Sequence, residues 1–172
     1  MAEPSATDRS ATSPTLYLKL LIFLLLVPAT VAVYVPLWLI ANRPPDFQAG
    51  PLRWLGFAPV VVGSVFLLLS GLDFARKGRG TPAPIDAPKF LVTSNLYRVV
   101  RNPMYVGVVM VLAGEALLFQ SFVVLRYATV VWLGFHLFVI LYEEPTLRGK
   151  FGADYEEYCR RVPRWVPNPR RG

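Results

Sequence analysis

Residues 103–144 read PMYVGVVMVLAGEALLFQSFVVLRYATVVWLGFHLFVILYEE, and this stretch decides the fold. Two apolar runs, Pro103 to Phe119 and Phe122 to Tyr142, are separated only by Gln120-Ser121, and the carboxylates Glu143-Glu144 close the second. A bilayer core about 30 Å thick takes roughly 20 residues of helix to cross, at about 1.5 Å per residue. Two runs of about that length with a two-residue polar turn between them predict an antiparallel helical hairpin across a membrane. Pro103 suits the first helical position, where its missing N–H costs nothing.

Upstream lies a polar connector, Asp73 to Arg101, which carries Arg76, Lys77, Arg79, Lys89, Arg98 and Arg101. Before it, Trp54 to Leu72 reads as another span, and Asn42 to Pro51 as a Pro-rich turn. Leu16 to Ala41 is almost wholly apolar and reads as the first span, kinked at Pro28 and Pro36, as membrane helices tolerate. It is too long for a signal-peptide core, and no small-x-small cleavage site follows it. Residues 1–14 read as a disordered tail rich in Ser, Thr, Ala and Pro, and 15–172 as one domain. Downstream, Leu147, Phe151, Tyr155 and Tyr158 recur at helical spacing and predict an amphipathic helix over Pro145 to Arg161, ended by Val162-Pro163. The expected architecture is therefore all-α: an integral membrane bundle of four spans plus a C-terminal helix lying on one membrane face.

Composition agrees. Of the 172 residues, 54% are hydrophobic, more apolar than an ordinary soluble domain. The formal charge of +7 is that of a protein whose Lys and Arg face anionic headgroups, and no nucleic-acid module accompanies it. The single cysteine, Cys159, excludes an intrachain disulfide and reads as an ordinary helix-face residue. Lys and Arg concentrate in the connector and in the tail after Tyr142, whereas the other two loops hold Arg43, Arg53 and Arg126. Excess positive charge marks the cytoplasmic side. Both termini, the connector and the tail then share that side, and so do the two polar patches that flank the hairpin.

Those patches are LVTSNLYRVVRNPMYVG at 91–107 and Glu143-Glu144. Polar groups beside hydrocarbon are costly unless paired or functional, so both are candidates for a site. Together with GRGTPAPIDAPKF before and EEPTLRGKFGADYEEYCRRVPRWVP after, they cover about 78–167, and the ordered set resembles the isoprenylcysteine carboxyl methyltransferases and the related phospholipid N-methyltransferases. The resemblance implies a multi-span S-adenosylmethionine (SAM) methyltransferase whose donor sits at the cytosolic membrane face. A plasma (inner) membrane is the simplest placement, with an endoplasmic reticulum membrane the alternative for a eukaryotic source. It implies donor contacts from Lys89, Phe90, Leu91, Val92, Tyr97, Asn102, Pro103, Met104 and Tyr105, with Glu143 as the donor-binding carboxylate and Glu144 its neighbour. Arg161 and Arg164 fall in the basic end of the pattern without assigned roles. The implied partners are the bilayer and a lipid-soluble or lipid-attached acceptor.

The residue chemistry fits such a donor. Glu143 can pair with an ammonium, Arg101 or the first N–H groups of the third span can hold a carboxylate, and Tyr97 or Tyr105 can face a sulfonium. Asn102 can hydrogen-bond the ribose or adenine. Methyl transfer needs mainly alignment, since the donor is already activated. A carboxylate acceptor would need no nucleophilic residue, whereas an amine would need a base, for which Glu144 is the candidate. The chain departs from the pattern in three places: Asn102 stands where many members have His, Asn95 where Gly is common, and Val139 where isoprenylcysteine enzymes have a substrate-linked Arg. Asn95 can keep a left-handed turn.

Other features point elsewhere. Gly78 to Ala83 formally matches GxGxxA, but no strand precedes it and Pro82 interrupts it, so no dinucleotide site is expected. His136, the single histidine, reads as packed inside the fourth span, and a lone His makes a metal site improbable. Glu115 reads as lying near the outer interface. A membrane scaffold or a small transporter is the alternative class, although repeats and broken mid-membrane helices, expected of a transporter, are not evident.

Overall fold

The computed structural model describes residues 14–74, 76 and 90–167. The tail read over 1–14 lies outside these residues except for Pro14, and so do Lys89 and the GRGTPAPIDA stretch. All regular structure among the described residues is helical, and three helices are long and apolar enough to cross a membrane: Tyr17–Ile40, Gly50–Asp73 and Phe122–Phe151. A shorter apolar helix, Pro103–Leu118, completes the expected set of four.

The first of these is interrupted where its prolines fall. It comprises α1 (Pro14–Leu26), a π-helical turn over Thr30–Tyr34 and α2 (Val35–Ile40). Pro28 has no N–H to give to the preceding turn, and just beyond it Thr30 Oγ1 donates to the Leu26 carbonyl at 2.6 Å. The wider π turn lies just ahead of Pro36, whose ring would crowd a regular α-helical carbonyl. A 3-10 segment, Gly50–Gly56, leads into α3 (Phe57–Asp73). The connector re-enters at residue 90 and forms a short 3-10 turn, Asn95–Arg98, before α4 (Pro103–Leu118). The second arm of the hairpin is α5 (Phe122–Phe138), which runs through a π-helical turn, Val139–Glu143, into α6 (Glu144–Phe151). The expected helix over Pro145–Arg161 is two helices. Gly152, at φ +52° and ψ −125°, ends α6 and opens α7 (Ala153–Arg161). That conformation suits glycine, and Gly152 lets the stripe fold back on itself.

The α3–α4 contact rests on two pairs of glycines. A Cβ on Gly63 would meet the Gly107 carbonyl oxygen at 2.5 Å, and one on Gly56 would meet the Gly114 oxygen at 2.5 Å. The backbones therefore touch directly, as small residues permit where lipid supplies no hydrophobic drive between helices. Above this seam Val108, Val111 and Leu112 of α4 pack on Ala32 and Ala128, and the Tyr127 hydroxyl donates to the Val31 carbonyl at 3.0 Å. The turn between α4 and α5 is tied to the loop before α3. Asp46 accepts from the Phe122 N–H (2.7 Å) and the Ser121 hydroxyl (3.2 Å), and the Ala49 N–H donates to Gln120 Oε1 (2.6 Å). Asp46 thus caps α5 from a loop distant in sequence, satisfying an N–H that the helix itself leaves open. At the opposite end Tyr155, Tyr158 and Val162 form a second core with Leu91, Leu147 and Phe151. The predicted stripe is all in this cluster, despite the break at Gly152.

Candidate functional site

The two polar patches of the sequence lie together at one end of the hairpin. Their meeting is organised by the chain after α7, residues 162–166, which crosses the start of α4 as a strap. The Arg101 N–H donates to the Pro163 carbonyl at 2.9 Å, and Asn102 Nδ2 to the Arg164 carbonyl at 3.2 Å. Arg164 then reaches Glu144 with Nε to Oε1 at 2.6 Å and a second bond to Oε2 at 3.0 Å. Arg101 approaches the same carboxylate at 3.1 Å and Arg148 at 3.4 Å. Glu144 is only 3% exposed, so three guanidiniums neutralise a carboxylate held out of water. Its hydrogen bonds in turn raise the Arg164 pKa above the ordinary arginine value.

One residue earlier, Glu143 has a different environment. Tyr105 donates to its Oε2 at 2.9 Å. The Tyr105 ring packs on Phe135 of α5 (centroids 4.6 Å apart) and faces Trp165 of the strap at 6.5 Å. The Trp165 indole N–H donates to His136 Nδ1 at 3.1 Å, and His136 stacks on Trp132 at 5.4 Å. The tyrosine that holds this carboxylate is therefore itself set against aromatic rings from α5 and the strap. Such rings attract a cation through their negative faces.

The remaining expected residues support these two centres. Asn95 has φ +51°, the left-handed turn anticipated for it, and donates to Asp73 Oδ1 at 2.6 Å. Tyr97 is buried, edge-on to Phe74, and its carbonyl accepts from the Tyr158 hydroxyl at 2.7 Å. Burial pushes both tyrosine hydroxyls well above their ordinary pKa. Val92, Pro103 and Met104 are buried, Leu91 is half-buried and Phe90 is exposed. Leu91, Thr93 and Arg98 form one wall of a cleft of about 620 Å³, and Asp154, Glu157, Tyr158, Arg161 and Val162 form the other. Tyr105 with Glu143, and Asn102 and Arg101 with Glu144, are thus brought into direct or strap-mediated contact.

Three contributors carried no clear signal in the sequence. Arg164 fell in the motif without a role, Trp165 was unmarked, and His136 read as packing alone. The Pro163 and Pro167 brackets around Arg164-Trp165 were the available clue, because they hold that segment extended.

The model of the family described as "Phospholipid methyltransferase" matches residues 52–154, which take in α3, the connector, the hairpin and α6. The chain belongs to the phospholipid methyltransferase family. Protein-S-isoprenylcysteine O-methyltransferase B of Arabidopsis thaliana is 38% identical over 78 residues, covering 45% of this chain and 39% of that protein. Protein-S-isoprenylcysteine O-methyltransferase of Schizosaccharomyces pombe is 37% identical over 78 residues, 45% of this chain and 33% of the relative. A probable protein-S-isoprenylcysteine O-methyltransferase of Oryza sativa subsp. indica is 35% identical over 121 residues, 67% of this chain and 61% of the relative. The chain therefore spans between one third and about three fifths of the length of these curated relatives. No solved structure matches. Within the family, the described part of the matched region holds α4, Tyr105, Glu143 and Glu144, while Arg164 and Trp165 lie beyond its end.

Proposed function

We propose that this protein is an integral membrane methyltransferase that transfers the methyl group of SAM to a lipid-soluble or lipid-attached acceptor. The observation that carries this is the Glu143–Tyr105 pair, set among aromatic rings beside the Glu144 ion-pair cluster at one end of the hairpin. Similarity to isoprenylcysteine O-methyltransferases supports it, as does membership of a family described by methyl transfer.

The residues present fit the donor. Arg101 Nε is buried and has no acceptor among the described residues, which suits a carboxylate brought in beside it. Glu143 has one hydrogen-bond partner there, Tyr105, which leaves Oε1 for an ammonium. The rings of Tyr105, Phe135 and Trp165 would face the sulfonium. When bound, the donor supplies an already activated methyl carbon. The protein's part is then to hold donor and acceptor in line and to keep water out. The strap serves both ends, since it closes over Asn102 and pins Glu144.

Glu144 is better suited to anchoring than to proton abstraction, because three guanidiniums stabilise its charged form. An amine acceptor would therefore not find its base in Glu144. The family's own description favours keeping that phospholipid N-methyl reading beside carboxyl methylation. The excess of Lys and Arg in the connector and tail supports a cytoplasmic active face, with the acceptor arriving laterally from the bilayer.

The test is SAM binding to the full chain in nanodiscs, wild type beside Glu143→Ala. Saturable binding that the substitution abolishes is expected. A well-folded wild type that binds no SAM would refute the methyltransferase reading in favour of a membrane scaffold.

A further inference from the structure

The neighbours of His136 decide which of its ring nitrogens accepts a hydrogen bond. An indole N–H can only donate, so the bond from Trp165 Nε1 to His136 Nδ1 (3.1 Å) makes Nδ1 an acceptor. In the neutral ring the proton then sits on Nε2. The ring is clamped on two sides, against Trp132 at 5.4 Å and Trp165 at 5.9 Å, so the direction of that Nε2–H is set. It has no acceptor among the described residues. His136 is half-buried, and its helix exposes Trp132, Leu133 and Leu137 nearby, a surface suited to lipid chains. A fixed N–H donor beside hydrocarbon calls for an acceptor, because leaving it unpaired there is costly.

We propose that His136 is an acceptor-binding residue, its Nε2–H donating to an anionic oxygen, carboxylate or phosphate, of an amphiphile whose apolar chain lies along Trp132, Leu133 and Leu137. Trp165 links this position to the site described above, since the same indole faces Tyr105 at 6.5 Å and Tyr105 bonds Glu143. An anionic group held at His136 would be presented beside the aromatic rings set against Tyr105. The inference rests on the methyltransferase reading, and it adds how the acceptor is held and by what chemistry. A neutral donor ranks acceptors by the oxygen they offer, so an anion is bound more tightly than its neutral ester.

The test uses the full chain in nanodiscs and two pairs of probes. One pair is an N-acetyl-S-farnesylcysteine and its methyl ester, and the other a short-chain phosphatidylethanolamine and the diacylglycerol of equal chain length. Affinities are read from tryptophan fluorescence, with SAM affinity measured on the same preparations. Wild type should prefer the anionic or phosphate-bearing member of one pair by about tenfold, the worth of a hydrogen bond to a charged group. The preferred pair identifies the source of the oxygen. His136→Ala should abolish the preference, while His136→Gln, which keeps an N–H near the Nε2 position, should retain part of it. Survival of the full preference in His136→Ala, or its absence from both pairs in wild type, would overturn the inference. Failure of wild type to bind SAM would sink the methyltransferase reading itself, a result separable from either.

Discussion

Replacing Arg164 by Met removes two hydrogen bonds from Glu144, at 2.6 and 3.0 Å, and leaves a carboxylate that is 4% exposed at the side chain with Arg101 and Arg148 alone. Breaking a buried pair by deleting one partner costs about 3–5 kcal/mol when the survivor is left alone. Here two guanidiniums stay at 3.1 and 3.4 Å, and Arg164 is itself 30% exposed, so the loss is reduced to about 2 kcal/mol. Glu144→Gln should cost more than Arg164→Met, because it leaves Arg101, 11% exposed, without its carboxylate. In the double variant the second change meets a bond already lost, and a coupling of about 1–2 kcal/mol is expected between the two positions. Reversible unfolding of the four proteins in mixed micelles gives the cycle. Hydrogen exchange at 162–166 gives a local reading, since the strap should loosen in Arg164→Met while α3 and α4 stay protected. Additive effects, with coupling under about 0.5 kcal/mol, would refute the idea that this ion pair fastens the strap.

Gly107→Ala should lower stability by about 1–3 kcal/mol, because its Cβ would stand 2.7 Å from the Gly63 carbonyl oxygen. Gly134→Ala, with nothing within 4 Å, should be neutral or slightly stabilising in the same melting experiment, and equal losses at both sites would contradict the backbone contact. Asp46→Ala removes the cap on α5 and should cost about 1 kcal/mol, with faster amide exchange at Phe122 and little change at the strap. The buried Tyr97 and Tyr158 hydroxyls have pKa values raised in the folded protein. Their contribution is complete below the unfolded tyrosine pKa of about 10 and is lost as pH rises beyond it, so denaturation should become easier in alkali. Tyr158→Phe should make that alkaline slope shallower, and an unchanged slope would show that other groups set it.

Much of the fold follows from one-dimensional features. The apolar lengths of 103–119 and 122–142 and the turn at Gln120-Ser121 appear as α4, α5 and a tight link between them. Asn95 was legible because few residues accept a left-handed turn, and Asn is among them. The break of the last helix at Gly152 was missed, since the apolar stripe continues at helical spacing on both sides and hides the change of direction. Glu143 and Tyr105 were legible as a pair of candidates because each ends or begins an apolar run. Their hydrogen bond was not, as it depends on how α4 and α5 pack side by side.

By itself the sequence determined which stretches suit the bilayer, how many there are, and that two polar patches fall at one end of a hairpin. Apolar length, turn composition and the distribution of Lys and Arg are local quantities, and hydrocarbon responds to them directly. Only the tertiary structure decided which cation meets which carboxylate and which ring holds the histidine. Arg164 finds Glu144 across 20 residues and Trp165 finds His136 across 29, through a strap whose path depends on the fold-back at Gly152. Those pairings depend on distance and orientation between elements. Three similar arginines around one glutamate differ in geometry alone, which no periodicity records.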